Sequence, residues 1–440
     1  MTSIPPLAWV VAGCILAAAA PAKALQPLET FLRGASISGP DNREARANAE
    51  SQHALATGAL GRLLPGVSLR GTYTRNQYDS TVTLPAEGGA ARSVTLTPMD
   101  QLDAVATLSV PLVDLASFAR LGSARAGATS ADQQARATAL ATEALVAQDY
   151  YQLAADLGLV EAARRAVEVS RAGLAITEER FQAGSAARLD VDRARADVER
   201  QVQQLAAAEL QRELAARSLA SRSGVAPTLD LRPGEAPLAD DLHEEPPLED
   251  LQPPDVELPS LAAAVEARRS QEAQARAQRL ALAPSLSAGF TERATNATGF
   301  SGHELAYQGV VALAWSFDLT TVANIRAQDA LAAAAAAREE RARLAARDAI
   351  HRSWSTVHTG IARSRSARAE VEASTRAAEL ARDRYAVGAA TQLDLLQAQR
   401  DAFSAQVALV QADADLTNAR AQLRIAAGQS LLSSRPEGKP

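Results

Sequence analysis

The sequence is short of the residues on which cross-linked, nucleic-acid-binding and thick-cored proteins depend. One cysteine, Cys14, is present among 440 residues, so no disulfide can form within the chain. The only lysines are Lys23 and Lys439, and 51 acidic residues outnumber 45 basic ones, which argues against a nucleic-acid partner. Aromatic residues make up only 4% of the chain, although they usually supply much of the buried area of a core.

Alanine takes the place of the missing large side chains, as in the runs at residues 17–20 and 332–337. Alanine has the highest helix propensity, and its small side chain lets packed helices approach closely. The composition therefore favours long, thin packing of helices over a single wide core.

The motifs of enzymes and metal sites are also missing. The sequence contains no HExxH, GxSxG or phosphate-binding loop. The five histidines are His53, His243, His303, His351 and His358. On a helix, His351 and His358 would lie about 10 Å apart along the axis, too far to bind one zinc ion together. We therefore predict that the chain is not an enzyme and holds no metal ion or cofactor.

The first 24 residues have the pattern of a signal peptide for export. Residues 7–20 are apolar, and residues 22–24, Ala-Lys-Ala, fit a signal-peptidase site. The apolar run is too short to span a membrane, since a span needs about 20 residues. Residues 11–14 are similar to a lipoprotein cleavage box that ends at Cys14, but the residues after Cys14 stay apolar. Lipidation of Cys14 is the alternative to simple cleavage.

The strongest feature of the sequence is an internal repeat. Residues 180–184, Arg-Phe-Gln-Ala-Gly, are followed six positions after the glycine by Asp190. Residues 384–388, Arg-Tyr-Ala-Val-Gly, are followed at the same spacing by Asp394, at an offset of 204 residues. Such self-similarity is typical of a chain built from two copies of one unit. Between the copies, residues 224–259 are rich in proline and acidic residues and cannot form a long helix.

Both halves are predicted to share one plan: helix, two strands, very long helix, tight turn and returning helix. The first repeat, residues 25–223, is predicted as helix 27–62, strands at about 64–78 and 101–113, helix at about 115–182, turn 183–188 and helix 189–223. The second repeat, residues 260–428, is predicted as helix 260–282, strands at about 284–295 and 305–318, helix at about 319–386, turn 387–392 and helix 393–428. The remaining segments are the signal peptide 1–24, the linker 224–259 and a disordered tail 429–440.

Each predicted strand alternates apolar and polar residues with a period of two. In the first strand, Val67, Leu69 and Tyr73 share one face. The hairpin tips, residues 79–100 and 296–304, are polar and contain glycine. Two interpretations fit: half-buried hairpins of a soluble domain, or strands with one lipid-facing and one wet face. Five aromatic residues would form a girdle at the membrane interface in the second interpretation and strand core in the first: Tyr73, Tyr78, Tyr307, Trp315 and Phe317.

The two longest predicted helices contain 68 residues each and no proline. A helix of that length spans roughly 100 Å at 1.5 Å per residue. Since a helix in water gains most of its stability from packing, each must lie sideways against other helices. Apolar residues such as Leu140, Val146 and Leu153 recur at intervals that give a narrow, coiled-coil-like seam.

With two turns of this motif set around two pairs of strands, the chain resembles the TolC-like family of outer-membrane efflux proteins over nearly its whole mature length. The resemblance implies a mainly α fold with a membrane β-barrel portion. In that fold a trimer shares one 12-stranded barrel, four strands from each chain, which continues as a periplasmic α-helical barrel. Four strands alone could not close a membrane barrel, because known single-chain barrels start at about 8 strands and open edges cannot face lipid.

The resemblance implies a passive exit duct in the bacterial outer membrane that extends into the periplasm. A homotrimer in outer-membrane lipid would receive solutes through a periplasmic adaptor (membrane fusion protein) from an inner-membrane pump, as in tripartite efflux or type I secretion. The main alternative is a soluble periplasmic coiled-coil scaffold without a pore, and weaker ones are the adaptor itself or an enzyme. The sequence does not reveal the cargo.

The resemblance also assigns roles at the periplasmic aperture. Asp394 would form an acidic ring, which attracts cations, and mutual repulsion of its copies would raise their pKa. Asp190 and Tyr385 match positions that tie neighbouring hairpins together. Gln397 stands where related chains often carry a second aspartate, and Arg188 is a candidate replacement for an arginine that this chain lacks.

The turns themselves match the place where the adaptor docks, which implicates Gly184, Val387 and Gly388. Their residue types also predict local roles. Both glycines are expected as left-handed caps at the ends of the long helices. Asp190 and Asp394 are expected as N-caps of the returning helices, a role compatible with a place at the gate.

Overall fold

The structure is a computed structural model of the chain, and it describes residues 25–85, 91–229, 238, 240–251 and 258–432. The predicted signal peptide with Cys14, parts of the linker, and residues 433–440 of the predicted tail lie outside the described residues.

Eight helices and six strands follow one another along the described residues. The first half contains α1 (Leu28–Ser38), α2 (Pro40–Gly61), β1 (Gly66–Arg75), β2 (Ser80–Leu84), β3 (Arg92–Thr97), β4 (Asp100–Val113), α3 (Leu115–Gln182) and α4 (Arg188–Ser223). A linker with α5 (Leu248–Leu251) leads to α6 (Pro259–Leu280), β5 (Ser285–Thr295), β6 (Leu305–Ala314), α7 (Leu319–Ala386) and α8 (Gln392–Ala426). The predicted class, mainly helical with a small sheet, is confirmed.

The long helices α3 and α7 each run unbroken for 68 residues. Each begins at an aspartate whose side chain caps it. Asp114 accepts a hydrogen bond from the amide of Ser117 at 2.9 Å, and Asp318 accepts one from the amide of Thr321 at 2.6 Å. These bonds satisfy amides that the helix leaves without partners. Among the described residues, no helix has both the length and the apolar character needed to cross a membrane.

The segment predicted as one helix over residues 27–62 consists of two helices, because the chain bends at Gly39 and Pro40. Pro40 occupies the first turn of α2, where a helix does not need an amide hydrogen. Gly39 has a ψ of 125°, outside the helical range, and a Cβ there would come within 2.4 Å of the carbonyl oxygen of Ala35. The prediction overlooked the boundary that a proline usually marks.

Four strands form an antiparallel sheet in the order β1–β4–β5–β6. The register places Val67 opposite Leu108, and Leu108 opposite Phe290. Since residues alternate between the faces of a strand, this register makes one face mostly apolar or aromatic, with Glu292 and the ion pair of Arg75 and Asp100 as the charged exceptions. Side chains on the other face are mostly small, polar or charged. No described strand pairs with the outer edge of β1 or of β6.

The first hairpin tip, predicted as a polar connection over residues 79–100, contains a second small sheet. Strands β2 and β3 pair antiparallel there, with Val82 opposite Val94. Both segments are rich in valine and threonine, which favour strands, so the sequence contained a strand signal that the prediction did not use.

Helix α3 lies between four others, since it packs on α2, α4, α6 and α8, whereas α7 packs mainly on α6 and α8. The main apolar cluster lies where α1 meets α3 and α4, and it includes Phe31, Leu153 and Leu219, each 0% exposed. Burial of each such side chain contributes about 1.5–3 kcal/mol. The core is therefore narrow and follows the helices.

Residues 429–432, predicted as part of a disordered tail, are packed against the helices. The carboxylate of Glu143 accepts hydrogen bonds from the hydroxyl of Ser430 and from the amide of Leu431, both at 2.8 Å. Leu431 and Leu432 contact the apolar cluster at α1. The buried carboxylate of Glu143 and the two leucines explain why this part of the tail is ordered.

Candidate functional site

The two turns that join the long helices to the returning helices have the same backbone conformation. After α3, Gly184 has a φ of +74°, and the amide of Ser185 donates to the carbonyl oxygen of Arg180 at 2.8 Å. After α7, Gly388 has a φ of +79°, and the equivalent hydrogen bond is also 2.8 Å long. This is the Schellman motif, in which glycine adopts the left-handed conformation without a steric penalty.

Asp394 occupies the third position of α8, and the N-cap is Thr391. The hydroxyl of Thr391 accepts from the amide of Asp394 at 3.2 Å, and the Asp394 carboxylate accepts from the amide of Thr391 at 3.0 Å. This reciprocal pair is a capping box. The hydrogen bonds from the side chain and the backbone of Thr391 lower the pKa of the exposed Asp394 carboxyl. In the single chain this direction is opposite to the rise that mutual repulsion predicts, and the expectation that Asp394 is the N-cap is wrong.

Asp190 also occupies the third position of its helix, α4, and is not the N-cap either. The N-cap is Ala187, whose side chain has no oxygen, so only half of a capping box forms. The Asp190 carboxylate accepts from the amide of Ala187 at 3.3 Å and lies 3.9 Å from Arg193. Arg188 pairs with Asp192 at 3.3 Å on the same helix. Both predicted gate residues of this turn therefore have their partners within α4 and its cap.

Tyr385 is buried and joins the two helical hairpins of one chain. Its hydroxyl donates to Oγ1 of Thr177 at 3.2 Å, and the guanidinium carbon of Arg180 lies 4.5 Å from the centre of its ring. Arg180 also donates to the backbone carbonyl oxygen of Tyr385. A cation over an aromatic face is worth about 0.5–1 kcal/mol at exposed sites and more where water is excluded. Asp190, predicted to tie hairpins together, has no part in these contacts.

Sequence reasoning did not identify Thr177 and Gln392 as residues of this link. Thr177 is 0% exposed, and its hydroxyl lies 3.2 Å from Oε1 of Gln392 at the start of α8. The repeat could not reveal Thr177, because the equivalent position in the second half is Ala381. Arg180 was visible in the repeated motif, but nothing in the sequence indicated its partner in the other hairpin.

A second link between the hairpins lies farther from the turns. Asp197 of α4 is 2% exposed and accepts from Arg200 at 2.8 Å and from Arg400 of α8 at 3.2 Å. Only the aspartate of this link is buried, since the Arg200 and Arg400 side chains are 44% and 41% exposed. The Asp197 carboxylate therefore depends on these two arginines for its charged partners. Gln397, predicted at the gate, is exposed and donates to Asp401 on the same helix at 2.9 Å.

Apolar side chains are exposed at the tips of both hairpins. Val387 is 80% exposed, Leu189 57% and Leu393 60%. These side chains flank the left-handed glycines Gly184 and Gly388. Exposed apolar residues clustered beside a rigid turn offer a surface for a partner.

The five aromatic residues of the predicted girdle are all on the surface of the single chain, with 60–80% of each residue exposed. The ring of Tyr307 stacks on Phe290 at 6.0 Å between centroids, and Nε1 of Trp315 donates to the carbonyl oxygen of Leu282 at 3.0 Å. The hydroxyl of Tyr73 donates to Asp100 at 2.7 Å. Such exposure does not fit the alternative in which these rings form a strand core.

Solved outer-membrane channels have the same fold as this chain. The outer-membrane channel OprN is 22% identical, with a TM-score of 0.76 over 92% of this chain and 90% of that one. The MtrE outer membrane channel of Neisseria gonorrhoeae, solved in its open state, is 21% identical, with a TM-score of 0.74 over 92% and 90%. The outer membrane protein VceC of Vibrio cholerae is 17% identical, with a TM-score of 0.76 over 92% and 96%.

Sequence comparison defines the family. Among proteins with curated functions, none matches the chain. A family profile described as outer membrane efflux protein matches residues 34–225 and 256–429, which include most of both repeats. Since the match covers most of the chain and the fold agrees, the protein belongs to the outer membrane efflux protein family, and the prediction that it is not an enzyme is confirmed.

Proposed function

We propose that the protein is a trimeric outer-membrane channel that acts as the passive exit duct of a tripartite efflux or type I secretion system. The observation that carries this proposal is the four-stranded sheet, whose apolar face and two outer edges are uncovered in the single chain. Membership of the outer membrane efflux protein family supports the same conclusion.

The unpaired edges of β1 and β6 require other chains. In lipid, an edge without hydrogen-bond partners is too costly to persist, so the sheet must close on copies of itself. Three chains of four strands would give one barrel of 12 strands, which exceeds the minimum of about 8 strands for a membrane barrel. The apolar face would then contact lipid and the polar face would line a water-filled lumen.

The helices would carry the duct away from the membrane. At 1.5 Å per residue, α3 and α7 are each roughly 100 Å long. Both start directly after a strand of the sheet and end at the turns. With a signal peptide for export, this arrangement favours a helical tunnel in the periplasm whose far end is formed by the turns.

At that end, three copies of Asp394 would form an acidic ring that favours cations over anions. The hydrogen bonds from Thr391 favour the charged carboxylate, which supports this role. Asp190, Arg188 and Gln397 would lie beside the ring and change its local charge.

Opening of the aperture would involve the link between the hairpins. Tyr385 is held by Thr177 and Arg180, so any motion that separates the second hairpin from the first must break these contacts. We assign the exposed tip residues Gly184, Val387 and Gly388 to docking of a periplasmic adaptor. The inner-membrane pump would supply the energy, since the duct has no catalytic chemistry of its own.

The test is planar-bilayer conductance of the mature protein purified in detergent. We expect discrete, long-lived steps with cation preference, and a lower preference after Asp394→Asn. Asp401→Asn is the matched control, because Asp401 is an exposed carboxylate on the same helix that is hydrogen-bonded to Gln397. A protein that stays soluble without detergent and never inserts would instead support the scaffold without a pore.

A further inference from the structure

Part of the linker between the repeats lies across the second hairpin. We call residues 240–247 the strap. Arg368 of α7 donates to the carbonyl oxygen of Asp240 at 2.9 Å, and Nε1 of Trp354, also on α7, donates to the carbonyl oxygen of Pro246 at 2.9 Å. Leu242 packs against an apolar cluster formed by α7 and α8. The strap therefore contacts both helices of the hairpin from one side.

Arg420 of α8 fastens the strap. It is 6% exposed, and each of its N–H groups has an acceptor in the strap. Nε and Nη2 donate to the two carboxylate oxygens of Asp240 at 2.9 and 3.1 Å, and Nη2 also donates to the carbonyl oxygen of His243 at 2.7 Å. Nη1 donates to Glu245 and to Nε2 of His243, the latter at 2.8 Å. A buried guanidinium is costly unless its donors are paired, so this junction depends on all three strap residues.

The contact with Arg420 assigns the hydrogen-bonding roles of the two ring nitrogens of His243. Arginine has donors only, so Nε2 of His243 must be the acceptor and cannot carry a proton. Nδ1 then carries the hydrogen and donates to Asp241 at 2.5 Å. This hydrogen bond lowers the pKa of Asp241. These roles of the two ring nitrogens are those of a neutral imidazole.

The backbone beside His243 is strained. Leu242 has a φ of +57°, and among the described residues it is the only one other than glycine with a positive φ. For a bulky residue this conformation is an outlier that persists only when the surroundings hold it. The amide of Leu242 donates to Asp240 at 2.7 Å, and its side chain is packed between α7 and α8. Loss of the Arg420 contacts would let this strain relax.

We propose that the strap is a proton-sensitive fastening of the second helical hairpin, with His243 as the sensor. Protonation turns Nε2 from an acceptor into a donor and brings a second cation to the 2.8 Å contact with Arg420. The carboxylate of Glu245 lies 3.7 Å from Nε2 and is the available partner for the imidazolium. Glu245 exchanges from Arg420 to His243, residues 242–246 detach, and Asp240 stays paired with Arg420.

The surrounding charges decide whether this exchange is local. From the strap, Asp240, Asp241 and Glu245 face His243, and they favour the imidazolium. From α8, Arg420 opposes it. From α7, Arg368 contacts the strap at Asp240 and also lies 3.4 Å from Asp413 of α8. Carboxylates outnumber arginines around the ring, so the strap itself supplies the counter-charge for the imidazolium. The interaction that protonation weakens is therefore the contact of the strap with Arg420.

Hydrogen–deuterium exchange of the full mature chain in detergent tests the proposal. Between about pH 8 and about pH 5, where histidine changes its charge, we expect amide exchange of residues 242–245 to rise several-fold after correction for the intrinsic rate. His243→Gln should abolish this rise, because glutamine can accept from Arg420 and does not titrate. His358→Gln is the matched control, since His358 is a second histidine beside the strap, stacked on Trp354 at 5.6 Å between ring centroids, and no hydrogen bond joins it to Arg420.

Fluorescence provides a second readout in a Trp315→Phe background, which leaves Trp354 as the reporter of the strap. Its emission should shift to the red on acidification, as the hydrogen bond to Pro246 is lost. The shift should disappear in His243→Gln and persist in His358→Gln. The proposal is overturned if the strap exchanges equally at both pH values, if acid protects it, or if His243→Gln keeps the wild-type response. None of these outcomes depends on whether the protein forms a pore.

Discussion

Helices α3 and α7 occupy equivalent places in their repeats and have the same length, yet they are buried to very different extents. In the single chain α3 buries 20 of its 68 residues, whereas α7 buries 8 of 68. The difference follows from position, because α3 lies between two helices in each half of its length and α7 lies at one side of the chain. A repeated sequence plan thus produces one central and one peripheral helix.

The peripheral helices keep apolar side chains on their surfaces. On α7, Leu344 is 55% and Leu380 is 53% exposed, and on α4, at the opposite side of α3, Leu210 is 53% and Leu214 is 52% exposed. Apolar residues at both sides of one chain fit the proposed contact with further copies. Packing within one chain therefore accounts for the burial of α3, whereas burial of the exposed apolar side chains of α4 and α7 would require an assembly of several chains.

The largest expected effect is in the core of α3. Leu153→Ala should lower the free energy of unfolding by about 2–5 kcal/mol, because it opens a cavity in a fully buried cluster. Leu344→Ala on α7 is the matched control and should cost much less. Chemical denaturation of the detergent-solubilised protein measures both. Equal losses would contradict the division into a central and a peripheral helix.

The next effect concerns the link between the hairpins. Two double-mutant cycles test it: one combines Arg180→Ala with Tyr385→Ala, and the other combines Arg180→Ala with Tyr385→Phe. The cycle with Tyr385→Ala should yield a coupling energy of about 0.5–2 kcal/mol between Arg180 and the ring. Tyr385→Phe keeps the ring under Arg180 and loses only the bond to Thr177, so the two cycles separate the contacts. Coupling indistinguishable from zero in the Ala cycle would remove the contact between Arg180 and the ring from the link, and would leave only the hydrogen bond from Arg180 to the backbone carbonyl oxygen of residue 385.

The N-cap residues of the two returning helices, Ala187 and Thr391, can be exchanged between the repeats by mutation. Thr391→Ala should cost about 1 kcal/mol, and Ala187→Thr should stabilise α4 by a similar amount, since it completes the capping box. Thermal unfolding of both variants and of the double variant checks the prediction. Destabilisation by Ala187→Thr would show that the first turn excludes a hydroxyl for another reason.

The smallest effect is the pH dependence of the same cap. Because the pKa of Asp394 is lowered in the folded chain, its stabilising contribution is present above the ordinary carboxyl pKa of about 4 and is lost as the pH falls through the lowered value. Thr391→Ala removes the hydroxyl that provides the largest part of this shift. Unfolding midpoints between about pH 6 and pH 3 should fall less steeply in the variant, and an unchanged slope would contradict the assignment.

The features that could be predicted from the sequence are local. The 68-residue helices follow from proline-free, alanine-rich segments, and the turns follow from Gly184 and Gly388, which need a left-handed conformation. The sequence also contained the signals for the bend at Gly39 and Pro40 and for the small sheet of β2 and β3. Both were missed because each lies inside a longer segment that was predicted as one helix or one polar connection.

The features that could not be predicted depend on pairs of residues far apart in the chain. Arg180 meets Tyr385, and Arg420 meets Asp240, across roughly 200 residues of intervening sequence, so neither periodicity nor motif indicates the partner. The capping residues show the same limit at short range. Asp190 and Asp394 correctly indicated that a helix begins near them, but the N-caps, Ala187 and Thr391, lie three positions earlier.

The central claim is that the free edges of β1 and β6 meet in neighbouring chains, and disulfide cross-linking tests it most directly. In a Cys14→Ser background, Thr72→Cys on β1 is combined in turn with cysteine at Ala306, Gln308, Val310 or Ala312 on β6, all on the polar face. Since a disulfide needs Cβ atoms about 4 Å apart, we expect at least one pair to give a ladder that ends at three chains on a denaturing gel, and no single cysteine to do so. A ladder that ends at two chains, or none with any pair, would contradict the shared barrel.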